Sequence, residues 1–157
     1  MRVGVRLGVD FGRARVGMAA SDAAAAVVLP VRSVATESAI ADIQREVAER
    51  ECLEVVVGLP LTLTGEEGPA AVQARAFASD LAVAIRPVPV RLVDERMTTA
   101  AAARSLRAAG VRGTTGRTKS RQVIDAAAAA EILNSALDLE RSTGVPAGEL
   151  IETGDAT

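Results

Sequence analysis

The chain has 157 residues, 18 basic and 20 acidic side chains, no His, Trp or Tyr, and only two Phe. Without His it can build neither a Ser-His-Asp nor a Cys-His catalytic device, nor a His-ligated zinc site; so few aromatics also disfavour reading unpaired bases by stacking. The lone Cys52 permits no internal disulfide, as suits a reducing cytoplasm, and no apolar run approaches membrane-spanning length.

Residues 3 to 22 read as a β-hairpin. Val3, Val5, Leu7 and Val9 alternate with other residues, GRAR turns the chain, and VGMAASD alternates again. AVVLPVRSV predicts a third strand, with Pro30 pointing to an edge position. From Thr36 to Arg50, Ile40, Ile43 and Val47 fall at helical spacing, and Thr36 or Ser38 can cap. LEVVVGLP suits a strand buried on both faces. Residues 70 to 85 predict an Ala-rich helix with a stripe of Val72, Phe77, Leu81 and Ile85.

VPVRLVDE is a fifth strand, followed by a helix over Thr98 to Ala109 and the Gly- and Thr-rich loop GVRGTTGRTKS. The last helix is expected from Ser120 to Glu140, with Val123, Ala127, Ala130, Leu133 and Leu137 facing the core. This order implies one folded unit over 1–142: a mixed five-stranded α/β sheet, three antiparallel strands then alternating helices and strands, flanked by helices. Residues 143–157, rich in Gly, Pro and acids, read as a disordered tail.

Charge is unevenly spread. From Arg96 to Ile124 stand seven basic residues (Arg96, Arg104, Arg107, Arg112, Arg117, Lys119 and Arg121) and no acid. Such a stretch predicts either an anion-facing surface that contacts phosphates or a solvated helix face and loop. Gly12 and Gly17 would let backbone approach a phosphate closely, with Arg13 beside it, or would only serve hairpin geometry. Thr62 and Thr64, in the GLPLTLTGEEG loop between a strand and a helix, are further phosphate-loop candidates, although the loop is equally a plain connector. It lacks the lysine of a nucleotide-binding P-loop.

Asp10 ends the first strand, Asp94 and Glu95 end the fifth, and Asp125 lies early in the last helix. A carboxylate at the end of an apolar strand is costly to desolvate without a cationic partner. Three acids from separate segments can hold Mg²⁺ or Mn²⁺ through oxygen ligands, can pair with Arg13, Arg15 or Arg96, or can serve at helix termini.

The four stretches LGVDFGRARVGMAASD, VVVGLPLTLTG, VRLVDERMTT and QVIDAAAAAEIL occur in the order and with the separations of the YqgF family, over residues 3 to 137. That family resembles the RuvC-type Holliday junction resolvases. The resemblance implies a ribonuclease H-like fold and a cytoplasmic bacterial nuclease that processes the 5′ end of pre-16S ribosomal RNA, with four-way DNA junction resolution as the alternative substrate. Matched by motif, it makes Asp10, Glu95 and Asp125 the acidic triad, each a Mg²⁺ or Mn²⁺ ligand. It selects Glu95 over Asp94, which strand alternation places on opposite faces.

The chain departs from the resolvases at the fourth carboxylate: one turn from Asp125 stand Arg121, Gln122, Ala128 and Ala129. Cleaving a junction symmetrically would call for a dimer; a single-site nuclease would serve as a monomer. Two readings of other classes compete: a non-catalytic RNA-binding module, and an ATP-binding protein, for which one domain is too little.

Overall fold

The structure, a computed structural model of the chain, describes residues 1–96 and 117–153; the side chains of 117–121 lie outside that description. Its elements are β1 (Arg6–Phe11), β2 (Arg15–Ser21), β3 (Val28–Ala35), a 3-10 turn (Thr36–Ser38), α1 (Ala39–Arg50), β4 (Glu54–Leu59), α2 (Pro69–Ala84), β5 (Val90–Asp94), α3 (Arg117–Thr143) and β6 (Glu149–Leu150). The helix expected over Thr98 to Ala109 falls outside the described residues.

One sheet runs in the order β3-β2-β1-β4-β5-β6. β1 pairs antiparallel with β2 and β2 with β3, whereas β1–β4 and β4–β5 are parallel. Pro30 sits on β3, an edge strand, next to a register shift at Met18/Ala19. An edge tolerates the missing N–H.

Alternation along the strands builds two layers of side chains. Leu7, Val9, Val16, Met18, Val55, Val57 and Leu92 form one face, against Ile43 and Val47 of α1 and Phe77 and Leu81 of α2. The rings of Phe11 and Phe77 lie 4.7 Å apart at 32°. α2 buries Ala71, Ala74 and Ala78 between its larger residues, and Val72, expected in the core, is exposed.

The opposite face carries Val56 and Val93, and α3 lies on it with Ala128, Ile132, Leu133, Ala136 and Leu137. Each large aliphatic buried there contributes about 1.5–3 kcal/mol. Val123 and Ala127 were expected in the core but are exposed. The buried face of α3 is the one that begins with Asp125 and ends with Glu140. Ala130, Leu133 and Leu137 are buried as expected; a stripe that begins and ends in an acid is not wholly apolar, so periodicity alone misplaced its amino-terminal part. Glycine brings this helix close: a Cβ on Gly8 would stand 2.7 Å from both the Ala129 carbonyl oxygen and the Leu133 Cβ. Only a residue without a side chain leaves that space.

At the amino-terminal ends of β1 and β4, Glu140 meets fully buried Arg6 at 3.3 Å and Arg2 at 2.7 Å, while Arg2 also bridges to Glu54 at 3.0 Å. The hydrogen bonds from Arg2 hold the Glu140 carboxyl down to about 2. This network anchors the far end of α3 to the sheet.

The expectation of a disordered tail is corrected for residues 144–153. β6 pairs antiparallel with β5, adding a sixth strand to the five expected, and Ala147 and Ile151 are buried. The Ile151 amide donates to the Val90 carbonyl at 2.9 Å, and Arg75 clamps Glu149 at 2.7 Å. The outer edge of β5 offers unpaired backbone groups, and this short strand satisfies them. Composition reads polarity and carries no information about such an edge.

Candidate active site

Asp10 lies near the carboxyl end of β1 and is 1% exposed. It stands in register with Gly17 of β2, so both point to the α3 face. A Cβ on Gly17 would fall 2.1 Å from the main-chain oxygen of Asp125 and 3.0 Å from the Ala126 nitrogen. The backbone of Asp125 therefore rests on β2 beside Asp10.

On the other flank, Gly58 of β4 follows Val57, the partner of Val9. A Cβ on Gly58 would meet Glu95 Oε2 at 2.5 Å and Ile132 Cδ1 at 2.6 Å. Glu95, immediately after β5, thus lays its carboxylate across β4 toward β1. Asp10, Glu95 and Asp125 are all buried, and they share one face at one end of the sheet.

Asp94, one residue earlier, faces away and is held below the usual carboxylate range by the Arg96 guanidinium, which donates to it at 2.9 and 2.6 Å. Asp125 accepts from Arg15 Nε at 2.8 Å and from Ser33 Oγ at 3.2 Å. Ser33 is the register partner of Gly17 on β3, so both donors flank the glycine on which Asp125 rests. Of the ion pairs weighed from sequence, the structure contains Arg15–Asp125; Arg96 pairs with Asp94 instead of Glu95.

All three donors are carboxylates, a set that suits a hard divalent cation. Among the described residues, no three His, Cys, Asp or Glu side chains form a metal-holding group, and Asp125 is turned toward Arg15 and Ser33.

Arg13 is exposed in the β1–β2 turn. Arg96 is exposed and also lies 3.0 Å from where a Cβ on Gly65 would be. Arg104, Arg107 and Arg112 lie outside the described residues. So do the side chains of Arg117, Lys119 and Arg121, whose backbone forms the start of α3.

The glycines and threonines considered for a phosphate loop make these contacts within the protein. Gly12 closes a tight turn, with 2.5 Å from its absent Cβ to the Arg15 carbonyl oxygen, and its own carbonyl accepts from Thr36 Oγ1 at 2.8 Å. Gly17 receives α3. Thr62 Oγ1 accepts from the Glu66 amide at 3.0 Å, and Thr64 Oγ1 donates to Glu66 Oε1 at 3.2 Å; these hydroxyls stitch their own loop.

Sequence reasoning did not single out Gly58 or Ser33, and it considered Arg15 only as an ion-pair partner. Gly8, Gly17 and Gly58, each inside a strand of the sheet, were the available signal for a close helix. Nothing local marks Ser33.

The family model described as RuvX, Holliday junction resolvase, matches residues 4–139. The chain belongs to the RuvX family. A relative from Nocardioides sp. is 50% identical over 158 residues, covering 97% of this chain and 99% of its own. Another from Streptomyces coelicolor is 50% identical over 155 residues, covering 97% and 90%. Both bear the provisional name pre-16S rRNA nuclease.

Among solved structures, T. thermophilus RuvC in complex with Holliday junction substrate matches with a TM-score of 0.56 at 16% identity, over 94% of this chain and 99% of that one. This RuvX-family chain therefore has the ribonuclease H-like fold of RuvC. No described helix is long and apolar enough to cross a membrane.

Proposed function

We propose that this RuvX-family protein is a divalent-metal-dependent nuclease that hydrolyses phosphodiester bonds in structured nucleic acid, with the 5′ end of pre-16S ribosomal RNA as its substrate. What supports the reading is that three buried carboxylates, Asp10, Glu95 and Asp125, lie on one face at one end of the sheet, where Gly17 leaves room for the Asp125 backbone and Gly58 for the Glu95 carboxylate. Carboxylates at one end of a sheet are the oxygen ligands that a hard divalent cation takes.

Asp10, Glu95 and Asp125 are the residues that would hold Mg²⁺ or Mn²⁺. Such an ion would supply Lewis acidity, lowering the pKa of water and offsetting charge on the scissile phosphate. The chain's own contribution is to fix these side chains on rigid elements: β1 for Asp10, the end of β5 for Glu95 and α3 for Asp125. The basic run from Arg96 to Arg121 supplies sequence-blind contacts to phosphates. The two relatives' names favour RNA, while the family description keeps four-way DNA junctions as the second reading.

Side-by-side cleavage of a 5′-extended pre-16S RNA fragment and a synthetic four-way DNA junction, in Mg²⁺, Mn²⁺ or EDTA, tests the reading. RNA cutting that is lost in EDTA and falls about 10²-fold or more in Asp10→Asn is the expected result. Symmetric junction cutting alone would transfer the assignment to resolvase. Binding without cutting, equal in wild type and variant, would leave a non-catalytic module.

A further inference from the structure

Arg15 lies beside the three carboxylates, and its ordinary reading as a plain ion-pair partner leaves part of its chemistry unused. Its Nε donates to Asp125 Oδ2 at 2.8 Å, and the side chain remains 25% exposed. The two Nη groups donate to no acceptor among the described residues. An arginine presents five N–H donors in a planar fork, and using Nε on one anion leaves the Nη edge for a second.

Position matters as much as donor count. Arg15 opens β2, two residues before Gly17, on the face and at the sheet end where Asp10 lies. Ser33 approaches the same Asp125 oxygen at 3.2 Å from the next strand. The carboxylate is therefore oriented from two sides, and of its two holders only the arginine has N–H donors left over.

We propose that Arg15 is a positioning residue that links Asp125 to the nucleic-acid backbone: Nε orients the Asp125 carboxylate while the Nη edge donates to a substrate phosphate. Phosphate binding then draws on the same guanidinium that holds Asp125, so substrate engagement and the setting of this carboxylate are coupled. The inference rests on the nuclease reading above and adds to it a contact outside the basic run 96–121. A guanidinium shared between carboxylate and phosphate cannot be replaced by lysine without loss, because an ammonium is a point charge without the fork.

The test is binding of a short RNA duplex with a 5′ single-stranded extension, in EDTA so that no cutting occurs, across a range of salt. Wild type, Arg15→Gln, Arg15→Lys and Ser33→Ala are compared, each checked for wild-type thermal melting. Losing one phosphate contact lowers the slope of log affinity against log salt by about 0.7–0.9. Arg15→Gln is expected to show that loss, Arg15→Lys to keep the slope, and Ser33→Ala to keep it as well. In metal-activated cleavage, Arg15→Lys is expected to keep KM while kcat falls, since lysine restores charge at the phosphate but not the hold on Asp125.

An unchanged slope in a folded Arg15→Gln protein, with wild type binding and cutting normally, overturns the inference and leaves the nuclease assignment standing. If Arg15→Gln does not fold, Arg15→Lys decides: equal kcat and KM to wild type would reject the link. A wild-type protein that neither binds nor cuts removes both readings.

Discussion

Replacing Gly17 by alanine separates two opposed effects whose sizes can be compared. Gly17 lies within β2 and is not among the residues with positive φ, so its backbone suits alanine. Taken alone, the change would stabilise by about 0.4–1 kcal/mol, by restricting the unfolded chain. The folded protein opposes it: the new Cβ would stand 2.1 Å from the Asp125 carbonyl oxygen and 2.4 Å from its carbon, against the 3.4 Å of ordinary contact. Both atoms are backbone, so α3 must retreat by about 1.3 Å, and overpacking of this kind costs about 3 kcal/mol. The clash wins.

In a domain of this size, that loss lowers the melting temperature by about 6–12 °C. Because the retreating segment carries Asp125, cleavage should fall about 10²-fold at temperatures where the variant is still folded. Thermal melting and single-turnover cleavage measure the two effects, with Gly68→Ala as the control. A Cβ on Gly68 meets only Thr62 Cγ2, at 3.8 Å, so its cost stays within the roughly 1 kcal/mol of an altered helix N-cap. A Gly17→Ala protein as stable and as active as wild type would refute the close seating of α3 on β2, and with it the placement of Asp125 beside Asp10.

Gly58→Ala should reverse the balance between stability and activity. The atoms that its Cβ meets are the ends of the Glu95 and Ile132 side chains, which can swing aside for about 1–2 kcal/mol; urea midpoints should move modestly while kcat falls steeply because Glu95 is displaced. Acid sensitivity should centre on Glu140. Its folded carboxyl lies at about 2, against 4.5 ordinarily, through its hydrogen bonds from Arg2; a depressed carboxylate contributes stability above the unfolded value that is lost as pH falls from about 5 toward 2. Linkage makes this up to about 3 kcal/mol. Glu140→Gln should be less stable at pH 7 and show a flatter decline in urea midpoint over that window; an unchanged decline would count against the Arg2–Glu140 assignment.

The strands were legible because their alternation is local: Leu7 and Val9 on one side and Gly8 and Asp10 on the other already describe a two-faced β1. Helix orientation was less so. α2 turns its alanines inward and leaves Val72 exposed, since small residues permit close packing while hydropathy counts the larger ones. β6 was invisible for a related reason. Two residues that pair with the edge of β5 carry no period of their own.

At the site, the residue types available were already legible in the chain: no His, carboxylates at the ends of β1 and β5 and near the start of the last helix, and a basic run between the second and third of these. Alternation along the chain also determined that Glu95 and Asp94 point opposite ways. Folding in three dimensions makes Gly17 and Gly58 the seats of Asp125 and Glu95, gives Arg96 to Asp94, and has Arg15 and Ser33 hold Asp125 from two strands. The physical reason is range. Side-chain direction follows from neighbours one or two residues away, whereas the partner of a buried charge is fixed by whichever segment the packing of distant elements brings within about 3 Å.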